Sequence, residues 1–382
     1  MRRWILGALL LLPALAFYFT YFFLAAYSGP VPQASPPPYL ADDGPYAFYD
    51  ESETTLSVKW LCQQHVVVKQ QSISEPILPT CAYTKPIAVR SANHVAVPQR
   101  IEANKLVVLS DIHGQYQLMQ RLLFANQVVD EQGNWHFADG HLIIIGDVMD
   151  RGDQVTEILW WLYQLEQQAA QSGGQLHLLL GNHETMVFYN DLRYVNTKYQ
   201  QVAAALGTDY SGLFSESSVL GRWLRTKPVL VQINDMLFVH AGLHPDYLAL
   251  GMSLAEVNEQ YRQSLGIAKE QLRDVPVLNF LYGSLGPLWY RGYFRGENKI
   301  TEPVLAQLLQ ALQVKRIVVG HTSMDGVFSH FAGQVISVDS NIKRGENGEL
   351  LFWQDGQLSK GTLKGERLPL TPLPKHENLP EK

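Results

Sequence analysis

Apolar residues fall in short bursts along this chain, and several bursts end in the same kind of loop. KLVVLS (105–110), HLIII (141–145) and QLHLLL (175–180) are brief, nearly unbroken apolar runs. Runs of that length without alternation predict strands covered on both faces. Helical spacing follows the first run through Phe124 and the second from about Val155 to Ala170. Strand–loop–helix units in succession predict an α/β layered core. Each run also stops at a polar loop: Asp111-Ile-His113-Gly, then Gly146-Asp-Val-Met-Asp-Arg-Gly152, then Gly181-Asn-His-Glu184. Gly146 lets the backbone turn sharply at a strand's carboxyl end, which is where open α/β sheets hold their ligands.

The pattern is different on either side of this block. Leu56–Leu61, His65–Lys69 and Ile87–Val89 are β-like runs separated by turn residues, which predicts a small β-rich subdomain over 46–100. After Glu184 the chain is helical and rich in Tyr, Asn and Gln as far as about Trp223. Strands resume at Val229–Ile233 and Met236–Val239, the second ending in His240-Ala-Gly242. A helical insertion from Ser253 to about Arg273 leads into GPLWYRG (286–292). Arg316–Val319 is a strand ending in Gly320-His-Thr322, and Val335–Val338 follows. A hairpin is expected between Leu350–Gln354 and Leu358 across Asp355-Gly356. The main domain then covers 101–361, and the Pro-rich, charged stretch 362–382 is expected to be a disordered tail.

The first residues belong to neither pattern. Arg2 and Arg3 precede an uncharged apolar run from Trp4 to Tyr27, long enough for a signal peptide or a single transmembrane anchor over 1–28. A Pro-rich linker (29–45) follows, and Asp42, Asp43, Asp50, Glu51 and Glu53 lie beyond the run. The positive-inside rule then predicts an exported body, either anchored in an inner membrane and facing the periplasm, or periplasmic or secreted after cleavage. The membrane is thus a partner if the segment is retained. A net charge of −6 argues against a nucleic-acid partner. The two cysteines, Cys62 and Cys81, exclude a disulfide scaffold and a thiolate zinc site. Export would let them form one bridge, and two buried free thiols are the alternative.

Taken alone, a loop such as 146–152 could be an ordinary strand-to-helix turn with an Asp cap. Its partners change that reading. Asp111, His113, Asp147, Asn182, His240 and His321 all stand at strand ends, and they carry carboxylate, amide-oxygen and imidazole donors. That mixture suits two borderline first-row ions such as Mn, Fe or Zn, whereas a pure magnesium site would contain fewer histidines.

With Asp111-x-His113, the GDxxDRG of 146–152, the GNHE of 181–184, His240-Ala-Gly and Gly320-His-Thr in place, the chain resembles the calcineurin-like metallophosphoesterases. The intact GDxxDRG and GNHE forms point to the phosphoprotein phosphatase branch. GPLWYRG and Val338-Asp-Ser-Asn341 are most similar to its bacterial, Shewanella-like group. The resemblance implies a β-sandwich of two mixed sheets flanked by helices, with the site at the loop edge. It implies that Asp111 and His113 bind one metal, that Asn182, His240 and His321 bind the other, and that Asp147 bridges them. Ser323 stands where many superfamily members have a second histidine, which agrees with the protein-phosphatase branch.

Two metals would activate water for direct attack on phosphorus, so no protein nucleophile is needed. His183 is the candidate acid for the leaving group, Asp150 would orient it, and Arg151 would grip phosphate oxygens. Arg291 is the candidate second clamp, with a structural pairing to an acidic residue as the alternative. Glu184 is read as a helix-start residue complementing the dipole. His65, His94, His136, His141, His177, His330 and His376 are expected in core or surface roles, and His244 in a loop beside the site. The expected activity is hydrolysis of phosphoprotein or phosphopeptide esters of Ser/Thr or Tyr. Two alternatives stand beside it: hydrolysis of small phosphate esters or dinucleoside polyphosphates, and an exported envelope binding module with a degenerate site.

Overall fold

The computed structural model describes residues 41–90 and 101–374, and the apolar run Trp4–Tyr27 lies outside them. β1 (Asp43–Tyr49), β2 (Thr55–Cys62) and β3 (His65–Ser72) form an antiparallel sheet in that order. β2 alternates as a half-covered strand should, burying Leu56, Val58 and Trp60 and leaving Ser57 and Lys59 partly open. Cys62 at its end is bonded to Cys81, with Cα atoms 5.9 Å apart. Ile87–Val89 is not a strand; only Ile87 bridges to Ile77, and Pro86 before it has no N–H with which to extend the ladder.

The core follows. β4 (Lys105–Leu109), α1 (Tyr116–Ala125), β5 (His141–Ile145), α2 (Val155–Gln171), β6 (Gln175–Leu179) and α3 (Asn182–Phe188) are the successive strand–helix units. α4 (Thr197–Ala205) and α5 (Val219–Arg225) make up the Tyr-rich stretch, and β7 (Leu230–Ile233) and β8 (Met236–Val239) come next. The second helical insertion is α6 (Leu254–Ser264), α7 (Lys269–Asp274) and α8 (Pro276–Leu281). α9 (Glu302–Leu312) carries Pro303 as its second residue, tolerated in a first turn, and buries Leu305, Leu308 and Leu309. β9 (Arg316–Val319), β10 (Phe328–His330), β11 (Val335–Ser337), β12 (Glu349–Gln354), β13 (Gln357–Thr362) and β14 (Arg367–Pro369) complete the chain. α9 and β10 are absent from the sequence reading.

Two mixed sheets result, ordered β14-β13-β12-β4-β5-β6 and β10-β11-β9-β8-β7. Their inner faces meet in one core. Leu106, Val108, Ile143, Ile145 and Leu179 come from the first sheet; Val231, Ile233, Phe238, Val318 and Ile336 come from the second. β4, β5 and β6 run parallel in register Leu109↔Ile144 and Ile145↔Leu179, and β8 and β9 run parallel at Val239↔Val319. Parallel pairing brings each group of carboxyl ends to one edge, so the polar loops are gathered there.

The small sheet sits on α2. Trp160 donates its indole N–H to Pro45 O at 2.8 Å, and Tyr83 donates its hydroxyl to Gln164 Oε1 at 2.6 Å. Trp160 and Trp161 are fully packed, as expected of a core pair. The tail expected from 362 departs from that expectation over its first part. β14 pairs with β13, Pro372 bridges to Ser329, and Arg367 lies over the Phe352 ring. Prolines are accepted there because β14 is an edge strand. Among the described residues no helix is long and apolar enough to cross a membrane.

Candidate active site

Asp111, Asp147, Asn182, His240 and His321 follow the carboxyl ends of β4, β5, β6, β8 and β9, and His113 follows two residues after Asp111. All six are buried. The backbone there is unusual for residues with side chains: φ is +54° at Asp111, +46° at His113, +54° at Asp147 and +62° at His321. Asp150 and Arg151 are also left-handed, at +69° and +66°. Such conformations cost on the order of 1–3 kcal/mol each and persist only where surroundings impose them. Gly146, at +76°, lies so close to the Gly181 backbone that a Cβ could not fit.

Glu184 fixes the Asp147 part of this backbone. Its buried carboxylate accepts N–H bonds from Asp147 (2.9 Å), Val148 (2.8 Å), Met149 (3.0 Å) and Gly181 (2.7 Å). Burial and the nearby Asp147 charge hold its pKa above the ordinary value, against the N–H groups of Met149, Gly181 and Asp147. It stands in the first turn of α3, as read, and is in addition a clamp between two motif loops.

The donors converge on Asp147. Its Oδ2 lies 3.5 Å from His113 Nε2, 3.8 Å from His183 Nε2 and 3.3 Å from His240 Nε2. Two groups could hold a metal ion: His113, Asp147 and His183, and Asp147, His240 and His321. Asp111 approaches the first through His113 Nε2 at 3.9 Å, and Asn182 Oδ1 joins the second 2.9 Å from His240 Nε2.

Lone pairs explain why cations fit. His240 Nδ1 faces the carbonyl of Ile145 at 2.7 Å and His113 Nδ1 that of Met149 at 2.7 Å, so both rings carry hydrogen on that side. His240 Nε2 then turns its lone pair toward Asn182 Oδ1, Asp147 Oδ2 and His321 Nδ1, the last at 3.2 Å. Acceptors crowded in this way need positive charge between them. Burial disfavours charge on His240, yet Asp147 pushes its pKa up to about 9. His321 Nε2 is buried without a hydrogen-bond partner among the described residues.

At the edge of this cluster His183 Nδ1 meets Asp150 Oδ2 at 2.6 Å. Burial disfavours its charged form, but Asp147 and the Asp150 hydrogen bond hold its pKa above the ordinary value. Arg151 is exposed, with Nε 3.4 Å from His113 Nε2 and its guanidinium 5.2 Å from the centre of the Tyr194 ring. Arg291 donates to His321 O at 2.8 Å and Thr322 Oγ1 at 3.2 Å, and pairs with no carboxylate among the described residues. The acidic pairing weighed for it is not found.

The sequence reading overlooked several neighbours. The Tyr194 ring is 5.0 Å from His183, and the Trp289 ring meets His321 edge-on at 5.9 Å. Asp339, inside Val338-Asp-Ser-Asn341, accepts from Ser323 Oγ at 2.7 Å, and burial pushes its pKa up to about 7. Of the histidines set aside, His94 and His376 lie outside the described residues. His141 and His177 pair with each other at 3.0 Å, His330 meets Ser337 Oγ at 3.0 Å, and His244 caps the turn at Asp246.

The family model for calcineurin-like phosphoesterases matches residues 105–324, more than half of the chain. This chain is a calcineurin-like phosphoesterase. Membership implies divalent metal ions, and the donor cluster accommodates them. Among solved structures the phosphoesterase is similar to the cold-active protein-tyrosine phosphatase of a psychrophilic Shewanella species. The identity is 38%, with 86% of this chain and 99% of that chain covered and a TM-score of 0.83. It is 26% identical to Shewanella-like protein phosphatase 1 of Plasmodium berghei over 57% of this chain and 61% of that protein. It is 24% identical to Shewanella-like protein phosphatase 2 of Arabidopsis thaliana over 67% and 75%. The phosphoesterase thus belongs among the Shewanella-like phosphatases, and its two mixed sheets flanked by helices are the fold of that family.

Proposed function

We propose that this enzyme hydrolyses phosphate monoesters of Ser/Thr or Tyr on proteins or peptides. Asp111 and His113 would hold one first-row ion (Mn, Fe or Zn), Asn182, His240 and His321 the other, and Asp147 both. Bound there, the ions would supply activated water and neutralise phosphoryl charge. His183 would protonate the departing oxygen, with Asp150 fixing its orientation, and Arg151 and Arg291 would hold phosphate oxygens.

The observation that carries this reading is the His183–Asp150 contact of 2.6 Å at the margin of the donor cluster. It orients the His183 ring and favours its protonated form, which supports His183 as the acid for a departing oxygen. Relatives named as protein phosphatases, and an exposed rim that includes Tyr194 at 42% exposure, support a macromolecular substrate.

We also propose export. The uncharged run after Arg2 and Arg3 and the Cys62–Cys81 bridge support it, because such bridges persist in oxidising compartments. The test is elemental analysis of the purified protein together with turnover of a phosphopeptide panel, p-nitrophenyl phosphate and diadenosine tetraphosphate. Metal-dependent turnover of phosphopeptides is expected. Hydrolysis of the dinucleotide alone would refute the reading.

A further inference from the structure

Lys269, the first residue of α7, holds its ammonium 5.3 Å from the centre of the Tyr189 ring and 5.9 Å from that of Trp289. Both rings belong to the site's surroundings. Tyr189 ends α3, the helix that starts with Asn182 and His183, and Trp289 lies edge-on to His321 at 5.9 Å. The ammonium is therefore no more than about 12 Å from the His321 ring, the reach of about three extended residues.

Its bonding is incomplete. Lys198, Lys227, Lys343 and Lys360 each reach an oxygen acceptor. Among the described residues Lys269 makes no hydrogen bond and no ion pair, and ring faces leave its three N–H donors unspent. Asp191, the carboxylate on which its charge acts, is taken at both oxygens by Arg193, each at 2.7 Å. A cation fixed between two rings beside an active site, with no anion of its own, is prepared for an anion that arrives with the substrate. The chain as a whole carries −6 and would repel an acidic peptide, so its capture depends on local cations of this kind.

We infer that Lys269 binds an anionic side chain, a carboxylate or a second phosphate, one to three residues from the phosphorylated residue. This rests on the phosphopeptide reading above. The chemistry is charge pairing at a partly desolvated surface, commonly worth about a tenfold preference.

The test uses the full chain and Lys269→Ala, Lys269→Glu and Lys269→Arg variants. Substrates are phosphopeptides of one sequence carrying Asp, phosphoserine, Ala or Lys two residues from the scissile phosphate, with each kcat/KM divided by that for p-nitrophenyl phosphate. The wild type is expected to favour the Asp and phosphoserine peptides over Ala by about tenfold. Lys269→Ala should level the series, Lys269→Glu should turn it toward Lys, and Lys269→Arg should restore it. The Asp and phosphoserine arms separate the two anion sources. A series that is already level in the wild type, or that stays steep in Lys269→Ala, overturns the inference while leaving peptide turnover intact. Failure to hydrolyse any peptide while hydrolysing p-nitrophenyl phosphate overturns the phosphopeptide reading itself, and with it the role of Lys269.

Discussion

The floor of the site and its rim are built on opposite principles. On the floor, Asp147, His113, Asn182, His240 and His321 are buried; Asp147, His113 and His321 stand in left-handed backbone, carbonyls fix the rings of His113 and His240, and Glu184 holds the Asp147 loop. On the rim, Arg151 and Tyr194 are exposed, and Trp289, Lys269 and Arg291 are half-buried, held by ring faces and carbonyl oxygens. The floor has one arrangement because strain and desolvation penalise any other, whereas the rim keeps charge in reach of solvent. Floor residues should therefore govern whether a phosphate ester is cleaved, and rim residues which ester is brought in.

The sharpest way to break that division is Asp147→Asn, which removes charge from the point where three imidazoles converge. Activity on every substrate is expected to fall by about three orders of magnitude, with loss of metal in elemental analysis. Full activity in that variant would remove the floor from the chemistry.

His183→Gln comes next, with a loss of about a hundredfold in kcat on alkyl phosphates. On p-nitrophenyl phosphate, whose leaving group needs little protonation, the loss should be much smaller. Equal losses on both would mean that His183 is not the acid.

Arg151→Ala tests the rim, with KM expected to rise by about tenfold and kcat to change less. A pure kcat effect would put Arg151 with the floor.

The smallest effect on activity is expected at Glu157, where stability is the readout; it lies near Lys198, whose ammonium donates to Asp153 O. Burial pushes the Glu157 pKa from 4.5 up to about 7. Because the folded value is the higher one, Glu157 favours the folded state below pH 4.5, and that contribution fades as pH rises to about 7. Glu157→Gln should flatten this slope, amounting to at most about 3 kcal/mol, in thermal melts taken from pH 4.5 to 7.5. A slope unchanged by the substitution would show that Glu157 does not titrate there.

The strands and the donor residues at their ends were legible because they leave local marks. HLIII can hardly be anything other than a covered strand, and a histidine or aspartate directly after such a run is conspicuous. Gly146 announced its turn, since glycine is the usual occupant of positive φ. Asp111, His113, Asp147 and His321 occupy the same region with no comparable signature, so the strain was invisible. Glu184 was legible as a helix-start residue and no further: its carboxylate also serves N–H groups 35 to 37 residues earlier in the chain, and no short-range pattern reports that. The same holds for Lys269, whose meaning depends on two rings contributed by distant segments. β14 was missed because Pro369 looks like a breaker until its strand is known to lie at an edge.

The grip of Glu184 has a consequence for which ions the enzyme can use. It joins the Asp147 loop to Gly181, the residue before Asn182, so Asp147 and Asn182, both proposed as donors to one ion, cannot separate freely. Such a cradle behaves as a calliper set before any ion arrives. Exchanging one first-row ion for another should change Lewis acidity and rate while leaving the spacing nearly constant. Calcium, which wants six to eight oxygens at about 2.3–2.6 Å, should be refused on both radius and coordination number.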